Sequence, residues 1–356
     1  MRIAELSRRD TSKQFDSLMH HYNVESLRAC YQGLDGKKAL GNDGVSKEKY
    51  GEDLEGNLSA LVARLRTMSY RPSPVRQVLI PKEGQAGAMR PLGISNFEDK
   101  LIQKMTQKLL ESIYEPLFLD CSFGFRPGRG CHDAIQALGH HLVCNEVQTV
   151  IDMDLSNFFG SVDHRLMQEM LIEKIKDRRF IRYITRMFKA GVLSEGDLTI
   201  SDEGVPQGSI CSPILANIYA HFVIDIWIEG VVKKHCRGRV ELFRYADDAV
   251  ICCRYHRDAE RIKAVLEKRL AKYNLKLNED KTRLVAFSKA MRSRGTKQGV
   301  FDFLGFTFYL GRSRKGNVIP KVKTSGKRLR SKLKSVNQWA RRVRNRVRLP
   351  VIWKTL

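Results

Sequence analysis

Asp247 and Asp248 stand side by side between two short apolar runs in the segment ELFRYADDAVICC (241–253). That pattern reads as a β-hairpin whose turn carries both carboxylates. Adjacent aspartates in a turn are common and by themselves mark no chemistry. Asp154 changes the reading, because it ends a separate buried strand, TVIDMDL (149–155). An acid placed there is costly unless it is paired or bound to a metal. If the two strands lie side by side, Asp154, Asp247 and Asp248 meet at one point. Three converging carboxylates repel one another, and a divalent cation relieves that repulsion. Mg²⁺ suits them, since it takes oxygen ligands and keeps positions open for substrate phosphates. Two such ions, roughly 3.5–4 Å apart, would activate a 3′-hydroxyl and stabilise departing pyrophosphate in an in-line displacement. Residue type and spacing point to nucleotidyl transfer.

The composition supplies a partner for such chemistry. Of the 356 residues, 63 are Lys or Arg and 39 are Asp or Glu, a net charge of +24. A surplus of that size calls for a polyanion, most often nucleic acid. With 42% apolar and 29% charged residues, disorder, collagen, coiled-coil and disulfide-scaffold readings are excluded. The eight cysteines form no CxxC pair, so they are expected to be reduced structural thiols, as in an intracellular protein. The first residues lack a secretory apolar stretch, and no segment is expected to reach the roughly 20 apolar residues of a membrane span. A soluble, cytoplasmic protein with no membrane partner is therefore expected. His20-His21 and His140-His141 lack metal-ligand spacing, and the absence of a GxxxxGK[ST] loop argues against ATP hydrolysis.

The elements that must position the carboxylates alternate between helix and strand. Residues 1–59 read as mostly helical, broken by the loop LDGKKALGNDGVS (34–46). Leu54, Leu58, Leu61, Val62 and Leu65 lie at helical spacing. Pro72 and Pro74 end that helix before the strand candidate VRQVLIP. A helix over 97–118 leads to the Gly- and Arg-rich turn SFGFRPGRG (122–130). NFFGSVDH turns from the Asp154 strand into another helix, and GVPQGSICSPILANIYAHFVIDIW (204–227) begins as a loop and becomes a strongly apolar helix. A helix at 258–273 precedes LKLNEDKTRLVAF and the strand-like FDFLGFTFYL (301–310). Residues 321–356 hold 13 Lys or Arg and no acid. Leu329, Leu333, Val336, Trp339, Val343 and Val347 put an apolar stripe on this tail, which reads as a helical arm resting on a nucleic-acid backbone.

FRYADDAVI resembles the YxDD motif of reverse transcriptases, and VIDMDLSNFFGSVDH resembles the motif that supplies their first metal-binding aspartate. GVPQGSICSPILANIYAHFVID, LNEDKT and FLGF match further motifs of that family in the right order. RPLGIS, SFGFRPGRGCHDAI and NDGVS resemble specifically the group II intron-encoded reverse transcriptases and their bacterial relatives. The resemblance implies an α+β right-hand polymerase, with fingers and an antiparallel palm sheet flanked by helices, plus a partial helical thumb. Residues 1–59 would extend the fingers, 60–310 would form the interleaved fingers and palm, and 311–356 would begin the thumb.

The same resemblance implies roles. Asp154, Asp247 and Asp248 would bind two Mg²⁺ ions, with Mn²⁺ as a substitute, and Asp152 would be a structural neighbour. Phe159, five positions after Asp154, would be the sugar gate that crowds a ribose 2′-hydroxyl. Lys82 and Arg90 would bind the triphosphate of the incoming dNTP, and Gln207 would lie beside the nascent base pair. Lys281 is a candidate general acid for pyrophosphate departure. Arg126 and Arg129 would contact template phosphates or hold the fingers together. Phe303 and Gly305 lie in the primer grip, and Lys327, Arg328 and Arg330 in the thumb. The partners would be an RNA template, a DNA or RNA primer and a group II intron RNA. Competing expectations are a splicing cofactor (maturase) that binds RNA, and a defence or repair polymerase with another template.

Overall fold

The structure, a computed structural model, describes residues 2–81, 89–194, 197–205 and 208–347. In chain order its strands are β1 (Val75–Pro81), β2 (Met89–Ile94), β3 (Thr149–Ser156), β4 (Val192–Ser194), β5 (Asp197–Thr199) and β6 (Val240–Tyr245). They continue with β7 (Asp248–Cys253), β8 (Lys276–Leu277), β9 (Arg283–Ala286), β10 (Phe301–Phe303), β11 (Phe306–Arg312) and β12 (Val318–Thr324). Among the described residues they form three sheets. The central one runs β6-β7-β3, with β8 and β9 both on the outer edge of β3, and all its pairings are antiparallel. A second sheet runs β2-β1-β4-β5, where β1 and β4 are parallel. The third is β10-β11-β12. The protein is α+β, with mainly antiparallel sheets.

Helices cover the central sheet because alternate side chains of its strands are apolar on both faces. Ile151, Met153 and Leu155 enter the larger core, together with Leu101, Leu109 and Ile113 of helix Phe97–Tyr114. Val150 enters a smaller core built on Leu138 and Leu142 of helix Cys131–Cys144 and on Phe287, Phe301, Phe303 and Phe308. The helix read from Leu54 to Leu65 spans Leu54–Arg66, where Asp53 accepts from Gly56 N as its N-cap.

Three expectations are corrected. FDFLGFTFYL is a hairpin rather than one strand: Phe303 pairs with Phe306, leaving Leu304 (φ 52°) and Gly305 (φ 82°) as a two-residue turn. Positive φ at both positions is the type I′ geometry that matches strand twist. The basic tail begins as β12, paired along β11, and becomes helical only over Gly326–Val343. A division at 310/311 would therefore fall inside β11. Finally, Ser212–His235 is a 24-residue helix, long and apolar enough by length and composition to cross a membrane. Its most apolar window is 67% buried in the molecule, so here it serves as a core helix. Two π-helical stretches interrupt it, and Arg269 donates to the carbonyls of Phe222 and Val223 in the first of them.

Candidate active site

Successive side chains on a strand point to opposite faces. Since Ile151, Met153 and Leu155 of β3 enter the larger core, Asp152 and Asp154 share the other face with Val150. On β7 the larger core takes Ala249, Ile251 and Cys253, which leaves Asp248 on the face of Val250 and Cys252. The smaller core covers the apolar part of that face, and the aspartates occupy its end. Asp154 is the direct cross-strand partner of Asp248. Tyr245 pairs with Asp248, so the hairpin turn is Ala246-Asp247. The pairing brings the three aspartates together.

Their electrostatics follow from that crowding. Burial pushes the Asp248 carboxyl up to about 7; the Leu304 N–H, 3.4 Å from Oδ2, opposes this, and Asp152, Asp247 and Asp154 add to it. Burial also raises Asp247, with Asp154 adding to the rise and Arg90 and Lys281 opposing it. Burial raises Asp152 against the pull of Arg283, whose Nε lies 3.2 Å from Oδ2. Lys281 instead reaches Asp154, Nζ to Oδ2 at 3.0 Å. A cluster in which burial and neighbouring carboxylates raise Asp152, Asp247 and Asp248 is chemically suited to a divalent cation. Among the described residues, no three acidic, imidazole or thiol side chains stand close enough to enclose an ion alone. Such a site is completed by water and substrate phosphates.

Behind the turn lies a residue that the motif reading passed over. Arg244 is fully buried, and its Nε and Nη2 meet the two oxygens of buried Asp225 at 2.7 and 2.6 Å. Nη1 donates to Asn217 Oδ1 (3.2 Å) and to the carbonyl of Ala246 (3.1 Å), and Nη2 also donates to Ser122 Oγ (2.7 Å). Ala246 is itself left-handed, with φ 57°. The guanidinium thus ties the aspartate turn to the Ser212–His235 helix and to the FGF loop. Gly124 of that loop packs under the turn, where a Cβ would stand 2.5 Å from Ala246 N. The signal was present in the sequence: an arginine inside an apolar strand and an aspartate inside an apolar helix each require a partner.

Phe159 is 9% exposed and lies in the short 3₁₀ turn Phe158–Ser161 that leaves β3. Its ring meets Phe125 edge-on at 6.3 Å, and Phe125 also lies 6.3 Å from Tyr245. Phe125, 44% exposed and left-handed at φ 56°, presents an aromatic face beside Phe159 and Tyr245. Motif reading did not single it out. Arg90 projects from β2 opposite Ile80. Lys82 and Gln207 lie outside the described residues. Gly208, at φ 106°, approaches the carbonyl of Gly93 in β2 so closely that a Cβ would stand 2.6 Å away. The glycine is thus needed for packing against RPLGI.

Arg126 follows the second of its two expected roles, and the expected primer contact of Phe303 is corrected. Arg126 is 8% exposed, with Nε on Glu115 (2.9 Å) and Nη1 on the carbonyls of Leu119 and Ser122 (both 2.8 Å). It holds its loop together, because every face of the guanidinium is used inside the protein. Phe303 is 1% exposed in the smaller core, so its ring cannot reach a primer. Arg129 stays near the surface, paired with Asp120 and lying over Phe123. Arg328 donates to the carbonyl of Leu304 at 3.2 Å, bracing the Leu304-Gly305 turn whose N–H reaches Asp248. Lys327 and Arg330 are exposed on the same helix.

Residues 80–308 match the family described as "Reverse transcriptase (RNA-dependent DNA polymerase)", a span that contains all three aspartates. The chain belongs to the reverse transcriptase family. Within that family, "Protein YkfC" of Escherichia coli is 32% identical over 316 residues, covering 80% of this chain and 79% of that one. "Group II intron-encoded protein LtrA" of Lactococcus lactis is 34% identical over 221 residues, which are 62% of this chain and 36% of LtrA. An "Uncharacterized 91 kDa protein in cob intron" of Schizosaccharomyces pombe is 40% identical over 174 residues, 49% of this chain and 21% of that protein. The chain thus matches little more than a third of LtrA. Reverse transcriptase domains work with divalent metal ions, in keeping with the aspartate cluster described above.

Proposed function

We propose that this chain is an RNA-directed DNA polymerase that extends a primer on an RNA template using dNTPs. The observation that carries the reading is the cross-strand pairing of Asp154 with Asp248, with Asp247 in the adjoining turn. Asp154, Asp247 and Asp248 would hold two Mg²⁺ ions, or Mn²⁺ in their place, which when bound would supply charge neutralisation at the 3′-hydroxyl and the leaving pyrophosphate. The protein's own groups do the rest. Arg90, whose charge Asp247 already feels, and Lys82 would neutralise the triphosphate. Phe159 would close the space at the sugar 2′ position, and Gln207 would lie against the nascent pair. Lys281, whose Nζ lies 3.0 Å from Asp154 Oδ2, would give a proton to the departing group.

In this reading the β2-β1-β4-β5 sheet and the N-terminal helices are fingers, and the β6-β7-β3 sheet is the palm. The β10-β11-β12 sheet and helix Gly326–Val343 begin the thumb. The names of LtrA and of the cob intron protein support a group II intron RNA as a further partner, and a splicing role as a second reading. Primer extension on RNA and DNA templates, wild type beside Asp247→Ala/Asp248→Ala, tests the proposal. The wild type should make Mg²⁺-dependent cDNA on RNA, and the variant should bind RNA yet make none. Full extension by the variant would refute the assignment, and RNA binding without extension by the wild type would favour the splicing reading.

A further inference from the structure

Away from the aspartates, the helix Arg178–Phe188, the C-terminal end of helix His164–Lys174 and the segment before β1 enclose a cleft of about 950 Å³. Six of its lining residues are cations: Arg71, Lys176, Arg178, Arg182, Arg186 and Lys189. None of its lining residues is an acid. Like charges gathered in a concavity raise one another's energy unless a counter-charge enters. The nearest carboxylate in sequence, Asp177, is already committed. Its two oxygens accept from the backbone N–H groups of Leu18, Met19, Arg179 and Phe180. At the rim, among the described residues, only the exposed pair of Lys189 with Asp202, at 3.6 Å, brings a carboxylate to one of the six cations.

The arrangement is also ordered. Arg178, Arg182 and Arg186 are four residues apart on one helix, so they share a face and step along it by roughly 6 Å. That step is comparable with the separation of successive phosphates on a strand. Arg186 is held in place: Nη1 donates to the carbonyls of Met68 (2.8 Å) and Tyr70 (2.9 Å), and the guanidinium lies 5.2 Å over the Tyr183 ring. Burial and the nearby charges of Arg71 and Arg182 lower its proton affinity. Ile175 and Ile181, both buried, lie among the cleft's apolar lining residues.

We propose that this cleft is a second nucleic-acid site, which holds the sugar-phosphate backbone of an RNA strand away from the site of synthesis. Its lining residues include none of the aspartates and none of the groups assigned above to dNTP binding. The strand it takes is therefore not the primer terminus. An ordered line of arginines along a cleft suits a strand better than the flat lattice of a bilayer surface. Since guanidinium groups read phosphate and not the sugar, DNA is the other source of the same chemistry, and the test includes it.

Arg71, Arg178 and Arg182 are exposed, so Arg71→Gln/Arg178→Gln/Arg182→Gln should leave the fold intact. The full-length triple variant and the wild type would be titrated with labelled oligouridylate and with oligothymidylate across a salt series. Each phosphate that the variant no longer reaches should reduce the slope of log affinity on log salt by roughly 0.7, so the triple variant's slope should be shallower by about 2. Affinity at moderate salt should fall by about tenfold or more. Extension of a pre-annealed, saturating primer–template should be unchanged, and the triple Arg→Lys variant should recover most of the affinity. The single reversal Arg182→Glu gives the same sign if the triple variant proves unstable. A weakening confined to oligouridylate assigns the site to RNA, and an equal weakening with oligothymidylate assigns it to either backbone. Unchanged slopes with both would overturn the proposal. So would a weakening seen only with phosphatidylserine vesicles, which would make the cleft a membrane contact.

Discussion

Arg244 and Asp225 form an ion pair with no exposure to solvent on either side chain. Removing one partner of such a pair leaves the other charged and unsatisfied, at a cost of about 3–5 kcal/mol, whereas replacing both by apolar groups is often close to neutral. Arg244→Met should therefore destabilise the fold by that amount, read as a lower denaturation midpoint. Arg244→Met/Asp225→Leu should regain much of the stability. The double variant should nonetheless synthesise poorly, because the carbonyl of Ala246 loses its donor and the Asp247 turn is no longer held. Recovery of full activity with stability would show that the pair only packs. The proposed gate role of Phe159 makes a second expectation at this scale. Phe159→Ala or Phe159→Val should raise rNTP incorporation relative to dNTP, since the ring is the bulk beside the Asp154 strand. An unchanged ratio in single-nucleotide extension would move the gate elsewhere and weaken the choice of Asp154 over Asp152 with it.

At the scale of elements, helix Phe97–Tyr114 is tied to the segment leading into β1 through Asp99. This buried carboxylate accepts from the hydroxyl of Tyr70 and from the N–H of Ser73. Burial raises its pKa from 3.8 to about 6, against the pull of those two donors. The folded state therefore holds a proton that the unfolded chain has released, and stability falls as pH rises from about 4 to about 6. Asp99→Asn removes that dependence. Urea midpoints should show the variant gaining on the wild type across this interval, and parallel curves would exclude Asp99 as the cause. The hairpin β10-β11 teaches a different lesson. FDFLGFTFYL carries no Asn-Gly or Asp-Gly signal, so its apolar run reads as one strand. The turn is nonetheless made by a leucine at positive φ, braced by Arg328 and reaching Asp248. Such strain is tolerated where the surroundings over-determine it, and local propensity does not show surroundings.

For the whole molecule, the basic helix Gly326–Val343 presents an apolar stripe over which, among the described residues, nothing packs. Leu329, Leu333 and Val336 are all more than 40% exposed, and no residue of Gly326–Val343 is buried. A cut at 321 would destroy β12, which pairs along β11. The informative truncation begins after Ser325, whose hydroxyl donates to Asp302. Deleting 326–356 should make the salt dependence of duplex affinity shallower, by roughly 0.7–0.9 for each phosphate that the segment would otherwise neutralise. Processivity should fall far more than single-nucleotide addition at saturating primer–template, because the aspartates lie upstream and lose only the Arg328 brace on the Leu304-Gly305 turn. Equal slopes for the two lengths would mean that the helix does not touch the duplex.

Much of the site was legible in the sequence, because its signals are local. An acid ending an apolar strand, two more in a hairpin turn and a large basic surplus each express a cost that only a partner or cation relieves. Strand period then puts Asp154 on a chosen face without reference to the rest of the chain. Contacts between distant segments were another matter. That Lys281 reaches Asp154 while Arg283 takes Asp152 depends on β8 and β9 both pairing with β3. That Arg126 turns inward to Glu115 depends on how the FGF loop folds back over Phe118. The cleft of Arg71, Arg178, Arg182 and Arg186 joins residues more than a hundred positions apart, which reads in sequence as scattered surface charge. Sequence carries residue chemistry and the periodicity of each element. Only packing decides which charges share a low-dielectric neighbourhood, and there their energies separate structural ion pairs from cations left open to a ligand.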